Sequence, residues 1–195
     1  SGQPLRVAVN RSPVQVTKPG LSQLVIDVLA EAGLAPELLE LEITEGALME
    51  QSDAPREVLQ ALHAHGVQIA LGDCGTGYSS LAYLTRMPIN SIKIDRCFVA
   101  DLLQGGESAA VVRGVLAMAC SLGIRVTAEG VETLRQVETL RNMSCDCRQG
   151  FCFSQAVSSD RIPGLRGHCW AFGVQSVSNR SGHPSRAGCS GPNRV

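Results

Sequence analysis

Short apolar runs alternate with longer stretches of helical periodicity along most of this chain. Leu5–Val9 (LRVAV) reads as a buried strand. Leu21–Ala32 sets Leu21, Leu24, Val25, Val28 and Leu29 at helical spacing. Leu38–Ile43 is a second strand, and Pro55 opens a helix to about His65, proline being tolerated in a first turn. Val67–Leu71 (VQIAL) is a third strand. Ser79–Arg86 is a short helix stopped by Pro88, and Ser91–Ile94 is a fourth strand. Glu107–Leu122 is a long apolar helix that Gly123 ends, followed by a strand at Ile124–Ala128. Glu132–Asn142 is a helix, and Arg148–Phe153 a sixth strand or strand pair.

Such alternation is the signature of parallel βαβ units, in a doubly wound sheet or a (β/α)8 barrel. The strand ends separate the two. Asn10, Glu42 with Glu45, Asp73, Lys93 with Asp95, Glu129 with Glu132, and Gln149 all stand at or just beyond a strand's C-terminal end. Barrel enzymes collect their chemistry there, a residue or two per strand, whereas a doubly wound sheet concentrates it at one switch point. The expected fold is therefore α/β, an incomplete TIM-type barrel. A whole barrel takes about 250 residues, so the missing strands are expected before Ser1. Past Gly164 the chain turns rich in Gly, Ser, Arg and Pro. The expected organisation is a partial domain over 1–165 and an irregular or flexible tail over 166–195.

Composition narrows the function without naming it. Of 195 residues 44% are apolar and 18% charged, an ordinary soluble balance. A net charge of −1 gives no reason to expect DNA, RNA or an anionic membrane as partner. No apolar run approaches the roughly 20 residues of a membrane span, and no signal peptide is visible. The eight cysteines lack the paired spacing of a disulfide framework and read as reduced thiols in a reducing compartment. A metal site from Cys145, Cys147 and Cys152, or from His63 and His65, is the minor alternative. The expected location is the cytoplasm.

Six motifs then fall in one order. They are AVNRS at Ala8–Ser12, LEITE at Leu41–Glu45, LGDCGTGYSSL at Leu71–Leu81, PINSIKIDRCFV at Pro88–Val99, AEGVET at Ala128–Thr133 and QGFCFS at Gln149–Ser154. Together they resemble the EAL domain family, whose corresponding forms are VNLS, the acidic strand, DDFGTGYSSL, PVDxLKIDRSFV, AEGVET and QGYLFS. The resemblance covers roughly Leu5–Leu165. It implies a modified TIM barrel that hydrolyses the bacterial messenger cyclic di-GMP to linear pGpG with two divalent ions, Mg²⁺ or Mn²⁺. It also implies a bacterial protein, with sensory or GGDEF domains possible in a longer parent.

The residue types suit that chemistry. Paired cations neutralise an anionic phosphodiester, generate hydroxide and stabilise the departing oxygen, and hard cations take oxygen ligands. Asn10, Glu42, Asp73 and Glu129 are the candidate metal ligands. Lys93 is a candidate catalytic cation that orients or acidifies water, and Glu129 a ligand or proton acceptor by family analogy. Gln149 and Asp95 are candidate substrate contacts, Asp95 sharing a strand face with Lys93. Glu45 and Glu132 read as loop-stabilising, or as solvated rim carboxylates. Gly75 and Gly77 allow close backbone approach, with Thr76, Tyr78 and Ser79 ordering the loop and capping the next helix.

The chain departs from the family pattern in several places. The segment bearing the EAL signature is absent, Gly72 stands where the family has the first Asp of DDFG, Cys74 replaces Phe, and Ala156 stands where Pro is usual. Loss of two carboxylates leaves the first ion short of ligands, so activity is expected to be lost or weak. The alternatives are a catalytically inactive EAL domain that senses cyclic di-GMP or docks a protein, and a fragment without function of its own. An open barrel also exposes strand edges, so homo-oligomers, or cover by the tail around Trp170 and Phe172, are expected.

Overall fold

The computed structural model describes residues 5–48, 54–75, 84 and 86–165. Its strands are β1 (Val7–Arg11), β2 (Leu39–Thr44), β3 (Gln68–Cys74), β4 (Ser91–Ile94), β5 (Arg125–Ala128) and β6 (Cys147–Arg148). Its helices are α1 (Pro13–Val16), α2 (Leu21–Ala32), α3 (Glu45–Leu48), α4 (Ala54–Ala64), α5 (Arg96–Ala100), α6 (Gly106–Leu122), α7 (Leu134–Asn142) and α8 (Ile162–Leu165). Most of Ser79–Arg86, the residues Thr76, Gly77, Tyr78 and Ser79, and the segment 166–195 with Trp170 and Phe172 lie outside the described residues.

The strands form one sheet in the order β1-β2-β3-β4-β5-β6, and every ladder is parallel. A doubly wound sheet reverses its order at a switch point, and this one never does. Each crossover steps to the next strand in the same direction, the winding of a (β/α) barrel. The fold is α/β, an arc of a TIM-type barrel, as the polar strand ends indicated.

Pleat and register divide the residues between two faces. The outer face carries Leu41, Ile43, Ile69, Leu71, Ile92, Ile94, Val126 and Ala128, all buried. Against it pack Val25 and Leu29 of α2, Leu59 and Leu62 of α4, Val112 and Ala119 of α6, and Val137 and Leu140 of α7, and this layer is the core. The inner face is polar. It presents Asn10 opposite Glu42, Thr44 opposite Gly72, and Ser91 and Lys93 opposite Arg125 and Thr127.

Side-chain oxygens extend the ladders where strands begin. Asn90 Oδ1 accepts from the Ile69 amide at 2.8 Å, and Asp146 Oδ2 accepts from the Val126 amide at 2.9 Å. Gly33 and Gly123 close α2 and α6 with φ of +61° and +70°, which suits glycine. The sixth strand is shorter than its apolar run suggested. Pairing stops at Arg148, and residues 151–153 turn back so that the Cys152 amide donates to Val131 O. Helices α1, α3 and α5 were not anticipated, because four or five residues are too few to show a period.

Among the described residues β1 pairs on one side only; Leu5 and Val7 are exposed, and so are Leu24 and Val28 of α2. The chain divides into two compact units, Ser1–Gln155 and Ala156–Val195. In the second, the described elements are a 3₁₀ turn at Ser159–Arg161 and α8. No described helix is long and apolar enough to cross a membrane.

Candidate active site

The site grows from the inner face where β2, β3 and β4 end. Parallel neighbours lie about 4.8 Å apart, so β2 and β4 stand roughly 10 Å apart with β3 between. Ala70 and Gly72 are the inner-face residues of β3 there, and neither has a side chain long enough to fill the gap. Lys93 on β4 therefore reaches over β3, and its Nζ forms a short ion pair with Glu42 Oε2 on β2. On its other side Nζ lies 3.3 Å from Oε1 of Glu129, which follows β5 directly.

Burial grades the three groups. The side chains of Lys93, Glu42 and Glu129 are 7%, 13% and 28% exposed, so the ammonium is the most deeply enclosed. Burial alone would lower the lysine's pKa, but the hydrogen bond and charge of Glu42, with help from Glu129, outweigh it and hold Lys93 above the usual lysine range. Glu129 moves up as well. Burial is the main cause, Lys93 pulls back in part, and the carboxylates of Glu42 and Asp73 push further upward.

Asp73 arrives by a bulge. Leu71 pairs with Ile92 and Cys74 with Ile94, so β3 spends one residue more than β4 over the same span. Asp73 takes φ of +53°, a left-handed conformation that aspartate tolerates better than most side chains. By strict alternation it would join Leu71 against the helices. The extra residue instead gives that outer position to Cys74, which is buried, and leaves Asp73 exposed at the rim.

The other expected site residues are placed as follows. Asn10 is exposed on β1, in register with Glu42. Glu45 opens α3, half-buried. Asp95 caps α5: its carboxylate accepts from the Cys97 amide at 2.8 Å, and the Cys97 thiol and amide hold its pKa below the usual range. Its contacts thus point to the helix rather than to Lys93. Gln149 is exposed, with its backbone N–H on Ala128 O and its own carbonyl accepting from Val131. Glu132 is exposed too, and its amide donates to Gln136 Oε1. Gly75 has φ of +102°, and a β-carbon there would lie 2.8 Å from Phe98 Cε2, so both freedom and space call for glycine.

Two contributors went unnoticed in the sequence. Gln136 is buried on α7; its Oε1 accepts from the Glu132 and Thr133 amides, and its Nε2 donates to Val99 O at 3.0 Å. It ties the strand end bearing Glu129 to α5, and the run Thr133-x-x-Gln136 was its readable signal, a capping box. Beneath the Lys93 layer, Ser91 Oγ donates to Glu40 Oε2 at 3.2 Å, and Arg6 lies 3.7 Å from the same oxygen. The alternation of Leu39, Leu41 and Ile43 with Glu40 and Glu42 already marked that second polar layer.

The sequence profile of the EAL domain matches residues 1–156. The chain belongs to the EAL domain family. The PaMucR phosphodiesterase, solved in complex with c-di-GMP, is similar at 39% identity and a TM-score of 0.77 over 80% of this chain and 64% of its own. Klebsiella pneumoniae BlrP1, solved with manganese and cy-diGMP, is similar at 37% identity and a TM-score of 0.71, over 77% of this chain and 38% of its own. Cyclic di-GMP phosphodiesterase NbdA of Pseudomonas aeruginosa is 42% identical over 77% of this chain, which spans 19% of that protein. The chain covers about a fifth of the length of the curated relatives it matches.

The donor set of this EAL domain can be tested against a pair of divalent ions. Among the described residues no group of three or more His, Cys, Asp or Glu is gathered to hold a metal ion. That includes Glu42, Asp73 and Glu129, and equally Cys145, Cys147 and Cys152, whose thiols are free. Glu42 is engaged by Lys93, and position 72 offers no side chain. As arranged, these residues do not fit two divalent ions.

Proposed function

We propose that this chain carries the cyclic di-GMP phosphodiesterase site of the EAL family, with hydrolysis to pGpG lost or weak. The observation that carries the reading is the convergence of Glu42, from the end of β2, and Glu129, from the end of β5, on the Lys93 ammonium of β4. Lys93 supplies a fixed positive charge for a phosphate oxygen or a water. Glu129, which burial holds above the usual carboxylate range, is the proposed proton acceptor. Gln149 and Asp95 are proposed substrate contacts, and Glu45 and Glu132 are proposed to steady the rim. Asn10, Glu42, Asp73 and Glu129 are the proposed ligands for Mg²⁺ or Mn²⁺, and because Glu42, Asp73 and Glu129 are not gathered into one group, full occupancy is not expected.

Chromatographic assay of cyclic di-GMP hydrolysis with Mn²⁺ tests this reading. The expected rate is below a tenth of that of the PaMucR phosphodiesterase. A rate within tenfold of it overturns the proposal of weak activity.

A second reading, a cyclic di-GMP sensor without turnover, is favoured by Gly72, since losing a carboxylate need not remove every nucleotide contact. Calorimetry with cyclic di-GMP and Ca²⁺ separates the two. Binding in micromolar range without turnover supports a sensor, and no binding excludes one. We also infer a bacterial cytoplasmic setting and a homo-oligomer in solution. A clean monomer by light scattering overturns the second of these.

A further inference from the structure

Gly72 is not demanded by its backbone, since it is absent from the residues of positive φ. Space is what distinguishes it. A β-carbon at this position would lie 2.9 Å from Glu42 Oε1 and 3.2 Å from Glu42 Cγ. The first separation is one that real β-carbons essentially never show. The Glu42 carboxylate therefore lies in the volume that a side chain at position 72 would occupy, and from there its other oxygen, Oε2, meets Lys93. The obstructing atom is the far end of a flexible side chain, so a larger residue would displace it at little cost to the backbone.

We propose that Lys93 serves as the built-in cation of this site, and that the bare position at Gly72 is what lets Glu42 serve Lys93 instead of the open rim. The proposal rests on the EAL-type reading but concerns how the acidic groups are satisfied rather than what is hydrolysed. Glu42 and Glu129 flank one ammonium, so two carboxylates that would otherwise attract a metal ion are already neutralised in part by a group the chain cannot release. A divalent ion would have to displace Lys93 from Glu42, leaving a buried ammonium with only its weaker partner. Two changes should reverse the competition. A side chain at position 72 pushes Glu42 away from Lys93. Removal of the lysine charge leaves Glu42 and Glu129 in need of a cation.

The experiment is calorimetric titration of the full chain with Mn²⁺ alone, in the absence of nucleotide, for wild type, Gly72→Ala, Gly72→Asp and Lys93→Gln. Circular dichroism establishes which variants fold. Wild type is expected to bind at least tenfold more weakly than Gly72→Asp and Lys93→Gln, with Gly72→Ala between. Wild-type binding as tight as that of these variants overturns the proposal, and so does failure of both folded variants to bind more tightly than wild type. If Gly72→Asp does not fold, Lys93→Gln decides the question in the same way, because it adds no bulk. The two proposals fail separately. Fast hydrolysis by wild type sinks the reading of weak activity, whereas the order of Mn²⁺ affinities is read without substrate.

Discussion

Lys93 on β4 and Glu42 on β2 form an ion pair over the top of β3, a strand neither belongs to. The bridge exists because Ala70 and Gly72 leave the inner face of β3 nearly bare. It encloses an ammonium inside a barrel arc, where an unpaired charge costs several kcal/mol.

Glu42 and Glu129 should therefore respond oppositely to neutralisation. Glu42→Gln leaves Lys93 with its longer, more exposed partner, and a loss of roughly 3 kcal/mol or more is expected. Glu129→Gln removes a carboxylate that burial and two neighbouring carboxylates already disfavour, so stability at pH 7 should be unchanged or higher. Urea denaturation of both variants measures the difference. Equal destabilisation would show that Glu129 anchors the ammonium as strongly as Glu42 does.

Asp73 sits at φ of +53° on the bulge of β3. Valine there should cost about 1–2 kcal/mol more than glycine or asparagine, both of which tolerate that conformation. The comparison isolates backbone strain from charge, since Asp73→Asn removes the charge alone. Chemical denaturation of the three variants reads it, and a neutral valine variant would mean the bulge relaxes.

Gly150 marks where the β6 turn closes on the loop after β5. A β-carbon at this residue would fall on the backbone N and O of Val131, which cannot move aside like a side-chain tip. Gly150→Ala should cost at least about 2 kcal/mol and release the Val131 N–H to Gln149 O bond of 3.0 Å. Faster hydrogen exchange at the Val131 amide is the expected local signature, and an exchange rate like wild type's would contradict it.

Cys145 gives a pH dependence with a definite sign. Burial pushes its thiol up to about 11. The unfolded chain ionises near the ordinary thiol value of about 8.5–9, so between that value and about 11 the unfolded state holds fewer protons than the native one. The thiol's contribution is whole below pH 8.5 or so and is lost as pH rises toward 11, about 2–3 kcal/mol in all. Wild type should lose that much more stability than Cys145→Ala between pH 8 and 11. Identical slopes for the two proteins would remove Cys145 as the source.

Much of the fold was legible because burial on one face leaves a period in the sequence. Leu21–Ala32 and Ser91–Ile94 fall on their expected residues, and Gly123 ends its helix as read. The direction of winding was legible through chemistry, since polar residues closing strand after strand implied a rim. Local sequence could not give α1, α3 or α5, which are too short to show a period, nor the early end of β6 at Arg148, which depends on hydrogen bonds to the distant loop at Val131.

By itself the sequence determined that successive strands run parallel and that Glu42, Lys93 and Glu129 belong to one rim. Tertiary structure decided how those residues use each other. The sequence placed Asp73 at the rim, but alternation from Leu71 would have turned it to the helix side, and the register slip between Leu71 and Cys74 is what turns it out. Gly72 read as a missing side chain, and only the packing showed Glu42 in the volume left open. The physical reason is shared: pleat and period are properties of one strand, whereas register and the filling of space are settled between strands.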